Sequence, residues 1–167
     1  MPGPVRDKRA DALRARYHTA FGDAELPVPV EAIAEDLLGL RVGESQDLAV
    51  SGMLLPLERQ IWLNAGEGAP RRRFTLAHEL GHWVCQHLEG ENAPVYCRAA
   101  DVQPEPSAAD RAREREANVF AAELLMPEAS VRSAFKDGLD LADQFGVSDE
   151  AMAWRLFNFG LVEKSPA

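Results

Sequence analysis

The stretch "FTLAHELGHWVCQH", residues 74–87, constrains this chain more than any other. Its apolar residues call for burial as a helix, and burial takes histidines and a glutamate inside with them. A helix advances about 100° per residue, so His78 and His82, four apart, stack on one face and can hold one ion. Glu79 is turned about 100° from His78, too far round to compete easily for that ion. It is still near enough to hydrogen-bond a water on it, which is where a general base belongs. His87, nine residues after His78, falls about 180° away, and no glycine breaks the helix to bring it back. The longer pattern H-E-x-x-H-x-x-G-x-x-H is therefore not met. The plain alternative for the pentapeptide is a helix with two partly buried histidines in ordinary hydrogen bonds.

A catalytic zinc takes three protein ligands and keeps a fourth position for water, so a third ligand is needed. The segment "EREANVFAAELLMP", residues 114–127, offers Glu114, Glu116 and Glu123. Glu114, Ala117, Asn118, Ala121, Leu124 and Leu125 fall on one helical stripe whose small and apolar members face a core. Glu116 lies about 200° from Glu114 and shares its side with Val119, Phe120 and Glu123. Glu114 is the preferred ligand and Glu116 the alternative. A buried carboxylate is costly unless paired, and a divalent cation removes that cost. Asn118, one turn after Glu114, suits a hydrogen bond to the site from outside the ligand set, or else is a solvated amide. Two imidazoles, a carboxylate and an open position favour one zinc ion over manganese or iron.

The remaining sequence sets the frame. With 167 residues the chain is long enough for a substantial core without disulfide or metal staples, and one domain is the default. Two cysteines, Cys85 and Cys97, are too few for a disulfide framework, and a reducing cytoplasm is expected. No apolar run approaches the roughly 20 residues that cross a bilayer, so a soluble protein is expected. The formal charge of -9 opposes any general affinity for nucleic acid.

Helical spacing predicts an amphipathic helix over residues 7–21 and a second over 29–38. "LRV" (40–42), "SGMLL" (51–55) and "QIWLN" (60–64) read as strands of a small antiparallel sheet, with "PLER" as a hairpin connection. "RRR" (71–73) reads as solvated. Residues 89–110 have no clean period, three prolines and more length than a connection needs, as functional or mobile segments do. Helix resumes over about 109–126, and two short helices flank "LADQFGVS".

These segments together resemble the ImmA/IrrE metallo-endopeptidases. The resemblance rests on "RRRFTLAHELGHWVCQH", "EREANVFAAELLMP" and "LADQFGVSDEAMAWRLFNFGLV", with "VEAIAEDLLGLRV" in support. It implies an α+β fold: a small antiparallel sheet on a zincin-like helical core with the H-E-x-x-H helix, plus a C-terminal helical subdomain. On that reading residues 1–127 form the metallopeptidase domain and 128–167 the helix-turn-helix-like subdomain packed on it. It further implies a gluzincin-like site with His78, His82 and Glu114 on the metal and Glu79 as base. The implied partner is a helix-turn-helix repressor that the enzyme cleaves, in control of stress responses or mobile elements. Tyr17, His18, His87 and Tyr96 are the residues available as a second oxyanion donor, and nothing in the sequence places any of them near the metal.

Two rival readings remain. The C-terminal segment, with Gly146 in its turn, could bind DNA, but residues 137–164 hold six acidic and two basic residues, the wrong sign for phosphate contacts. The site could also belong to a catalytically idle module that senses metal or sequesters a repressor, with the same ligands.

Overall fold

A computed structural model describes residues 7–22, 26–87, 107–138 and 140–166, with the backbone of 95–97. Helix α1 (Lys8–Phe21) starts where the Asp7 carboxylate accepts from the Arg9 N–H at 2.9 Å. It stops at Gly22, whose N–H donates to the His18 carbonyl. Helix α2 (Val30–Ala32) runs on through a wider π-type turn, Ile33–Leu37, so the expected helix over 29–38 is present with a change of pitch.

Strands β1 (Arg41–Ser45), β2 (Gly52–Leu55) and β3 (Gln60–Asn64) follow, and β2 and β3 form the expected hairpin. The sheet is mixed, not antiparallel throughout. Its order is β1-β3-β2-β4, with β1 parallel to β3 and β2 antiparallel to both neighbours. The chain turns back between β1 and β2, and β1 then joins the far side of β3, so β1 and β3 must run the same way. The fourth strand, β4 (Val95–Cys97), lies inside the segment that shows no period in the sequence; 88–94 and 98–106 lie outside the described residues.

Helix α3 (Ala69–Cys85) packs beneath the sheet and against α4 (Ala108–Leu125). Ser107 and Asp110 close a reciprocal capping box at the start of α4. Helices α5 (Glu128–Asp137), α6 (Leu141–Phe145) and α7 (Asp149–Asn158) complete the chain. Their buried Val131, Ala134, Ala142, Phe145 and Met152 join one continuous core with Leu76, Leu80, Phe120 and Leu124. No helix among the described residues is long and apolar enough to cross a membrane.

Of the arginines at 71–73, Arg71 is exposed as expected, but Arg72 and Arg73 are not simply solvated. Arg73 donates to the carbonyl oxygens of Val28 (3.0 Å) and Gly146 (3.2 Å), tying the start of α3 to the segment before α2 and to the α6–α7 turn. Gly146 sits at φ 65°, and a Cβ there would come within 2.6 Å of the Arg73 Nε, so the turn needs glycine twice over. Arg72 reaches the carbonyls of Ala65 and Glu67 and pairs with Glu44 at 3.6 Å.

A second arginine clamps α7 to α4. Arg155 meets Glu123 at 3.2 Å with both side chains almost sealed from solvent, donates twice to the Met126 carbonyl, and lies over the Phe159 ring at 4.3 Å. Breaking a buried pair strands a charge at a cost of about 3–5 kcal/mol, whereas replacing both partners by apolar residues is often neutral. Arg155→Met should therefore lower the unfolding free energy, measured by urea denaturation, by about that amount. The double variant Arg155→Met, Glu123→Met should recover most of the loss.

Candidate metal centre

The centre is assembled by two helices. Helix α3 begins after Gly68 with Pro70 in its first turn, and from Thr75 to Trp83 every side chain is buried. His78 and His82 are 3% and 1% exposed, with ring centroids 4.7 Å apart and planes nearly perpendicular. Their Nε2 atoms converge at 3.1 Å. Glu114 on α4 closes the triangle: Oε2 is 3.0 Å from His78 Nε2 and Oε1 is 3.0 Å from His82 Nε2. These three are the group among the described residues able to hold a metal ion. Donors about 2.1 Å from a tetrahedral ion stand roughly 3.4 Å apart, close to the spacing found here.

What sits behind the imidazoles fixes which nitrogen faces Glu114. His78 Nδ1 is 2.8 Å from the Asn118 Oδ1, and His82 Nδ1 is 2.6 Å from the Gln86 Oε1. The Gln86 amide is oriented by its other end, since its Nε2 donates to the Arg113 carbonyl at 3.1 Å. Both Nδ1 atoms thus face amide oxygens that can accept from them, and both Nε2 atoms turn toward each other and toward the Glu114 carboxylate. Three electron-rich groups pointed at one spot fit a cation there.

Titration follows the same charges. Burial pushes the Glu114 carboxyl up, but the hydrogen bonds and charge of His78 and His82 prevail and hold it near 2. Burial works against the charged form of His82, and Glu114, Glu79 and Gln86 outweigh it, leaving the pKa raised.

Glu79 behaves differently. It is wholly buried, and neither carboxylate oxygen has a hydrogen-bond partner among the described residues; the same is true of the Thr75 hydroxyl beside it. Burial pushes its carboxyl up to about 8, opposed by His82 and reinforced by Glu114. A cation at the neighbouring site would favour the charged form and return it toward the ordinary carboxylate range. An orphaned, buried carboxylate one residue from His78 of the candidate metal group is costly in a fold, and perturbed groups of this kind cluster at functional sites.

The structure brings His78, His82 and Glu114 together and leaves the alternative, Glu116, turned toward Arg9 on α1 at 3.6 Å. Glu123 is engaged with Arg155. His87 stacks on Trp83, centroids 4.0 Å apart, outside the ligand group. Tyr17 packs on Phe21, and with His18 it lines a cavity of about 210 Å³ bounded by Val28, Ile33 and Pro127, which none of the three ligands lines. The side chain of Tyr96 lies outside the described residues. Gln86 was not singled out in the sequence, although its i+4 spacing from His82 is a signal that could have found it.

Alanine at His78, His82 or Glu114 should each weaken metal binding strongly, and Glu116→Ala and His87→Ala should leave it near one ion per chain. Elemental analysis of the purified variants checks this. Full occupancy in Glu114→Ala with loss in Glu116→Ala would reverse the assignment.

Residues 28–157 match the peptidase family described as the IrrE N-terminal-like domain. No curated protein matches the chain in sequence. Among solved structures, a Mycobacterium tuberculosis transcriptional regulator is similar over 90% of this chain at 23% identity, with a TM-score of 0.65. That likeness shows the fold. The chain spans about half of that protein, 47% of its length. With its H-E-x-x-H helix and the glutamate of α4 meeting in one site, the chain belongs to the IrrE N-terminal-like domain family of peptidases.

Proposed function

We propose that the chain is a zinc-dependent endopeptidase whose substrate is a helix-turn-helix-type transcriptional repressor, cleaved to relieve repression in a stress or mobile-element response. The observation that carries the catalytic part is Glu79, buried without a partner directly beside the His78, His82 and Glu114 cluster. The repressor as substrate is supported by the resemblance to ImmA/IrrE enzymes.

His78, His82 and Glu114 would hold the zinc ion, which would supply Lewis acidity for activating a water and the scissile carbonyl. Glu79 takes the proton of the attacking water and delivers it to the amine as the C–N bond breaks. Its burial keeps that carboxylate out of bulk solvent and beside the three-residue group. Asn118 and Gln86 hold the two imidazoles in one tautomer and orientation.

A DNA-binding role is disfavoured by what α7 exposes. Its first turn presents Asp149 and Glu150, and its outer face presents Trp154. Its arginine, Arg155, is buried against Glu123 and cannot reach a phosphate.

Glu79→Gln keeps the size and hydrogen-bonding capacity of the side chain and removes the base. Zinc content and binding of the cognate repressor should stay near wild type, while appearance of repressor fragments should slow by roughly 100-fold to 10,000-fold. If Glu79→Gln relieves repression in cells as well as the wild type does, the site does not act by proteolysis. A sequestering or metal-sensing role then replaces the enzyme.

A further inference from the structure

Glu79 has a neighbour in the same condition. Thr75 is 1% exposed and Glu79 wholly buried, and neither the Thr75 hydroxyl nor either Glu79 oxygen has a hydrogen-bond partner among the described residues. Glu67 and Glu128 also carry an unpartnered oxygen, but each accepts through its other one, from Ser51 and from Arg132. A threonine within a helix commonly donates to the carbonyl one turn back, and Thr75 does not.

The two side chains stand four residues apart on α3, where neighbours of this spacing have Cβ atoms about 5–6 Å from each other. Gly52 of β2 covers both. A Cβ on that glycine would lie 2.4 Å from the Thr75 Cγ2 and 3.4 Å from the Glu79 Oε1. Thr75 therefore meets the sheet through its methyl group, a contact that valine would make as well. The hydroxyl adds nothing to that packing, and left unpaired in the core it costs stability that valine would not. A turn about χ1 exchanges methyl and hydroxyl between staggered positions. The hydroxyl then faces the same gap as the Glu79 Oε1, near enough for a direct bond or for one bridging water.

We propose that Thr75 is a positioning residue for Glu79: its hydroxyl donates to one carboxylate oxygen, directly or through one water, and leaves the other oxygen to take a proton. This bond satisfies both orphaned groups at once and restrains a carboxylate that nothing else in the described fold holds. Hydrogen bonds to catalytic groups are commonly long or misaligned until a site is loaded, as the pair is here. That Glu79 acts as a base rests on the peptidase reading; its bond to Thr75 does not.

A double-mutant cycle on the zinc-loaded protein tests the bond without any substrate. Thr75→Val, Glu79→Met and the double variant are unfolded in urea at one fixed free zinc concentration. Thr75→Val should raise the unfolding constant at least about 5-fold when Glu79 is present, and should leave it unchanged or lower it in the Glu79→Met background, where the hydroxyl has no partner to lose. The same effect in both backgrounds overturns the proposal. If a variant does not fold, alanine takes the place of valine or methionine, and the difference between backgrounds stays the criterion. Cleavage gives a reading that packing alone would not move. With the cognate repressor as substrate, Thr75→Val should lower kcat by about 10-fold to 100-fold at unchanged KM and zinc content, and Thr75→Ser should restore most of it. An unchanged kcat, or a fall that serine does not repair, overturns the positioning role. Coupling in the cycle with no cleavage by the wild type leaves the bond between Thr75 and Glu79 standing and removes the peptidase reading.

Discussion

Helices α3 and α4 meet closely at Gly81 and Ala117, and the centre depends on that contact. A Cβ on Gly81 would come within 2.9 Å of the Ala117 Cα and 3.0 Å of its carbonyl oxygen, so any side chain there pushes the helices apart. Gly81 lies between His82 and Glu79, and Ala117 is one turn beyond Glu114. The two smallest residue types thus face each other where the distance from carboxylate to imidazole is set. Without that approach, Glu114 could not reach both Nε2 atoms at 3.0 Å. The glycine within "HELGH" is a packing requirement that the metal ligands inherit.

Around that contact, the polar groups are held by partners drawn from several elements. Asn118 comes from α4, Gln86 from the end of α3, and the Gln86 amide is itself fixed by the Arg113 carbonyl, one residue before Glu114. A displacement of either helix would therefore disturb ligands and supports together. Further out, α4 is gripped on two sides: Arg14 of α1 donates to the carbonyls of Glu123 and Leu124, and Arg155 of α7 pairs with the Glu123 side chain. The C-terminal helices in this way brace the helix that carries Glu114.

The grouping of His78, His82 and Glu114 was legible in the sequence because it follows helical spacing. Four-residue spacing put His78 and His82 on one face, and the small-residue stripe through Ala117 and Ala121 singled out Glu114 over Glu116. Glu114 itself is only half-buried, so the stripe located it better than its burial did. The longer helices and three strands were readable for the same reason, whereas the short α6 lies within the stretch read as separating two helices. Strand order was not: spacing along the chain says nothing about which side of β3 receives β1. Strand β4 was missed because three residues are too few to show alternation, although "VYC" is β-branched and aromatic in composition. Arg73 read as solvated because its partners, the Val28 and Gly146 carbonyls, are main-chain atoms that any residue could supply.

The central claim is that two imidazoles and one carboxylate, preset by α3 and α4, hold a divalent ion while Glu79 stays off it. X-ray absorption on the zinc-loaded protein tests this directly, because imidazole rings give multiple-scattering features that carboxylates and thiolates do not. The account predicts a zinc with two imidazole nitrogens at about 2.0–2.1 Å, light oxygen donors completing the shell, and a spectrum unchanged in Glu79→Gln. A sulfur shell near 2.3 Å, fewer than two imidazoles, or a shell that changes when Glu79 is replaced would contradict it.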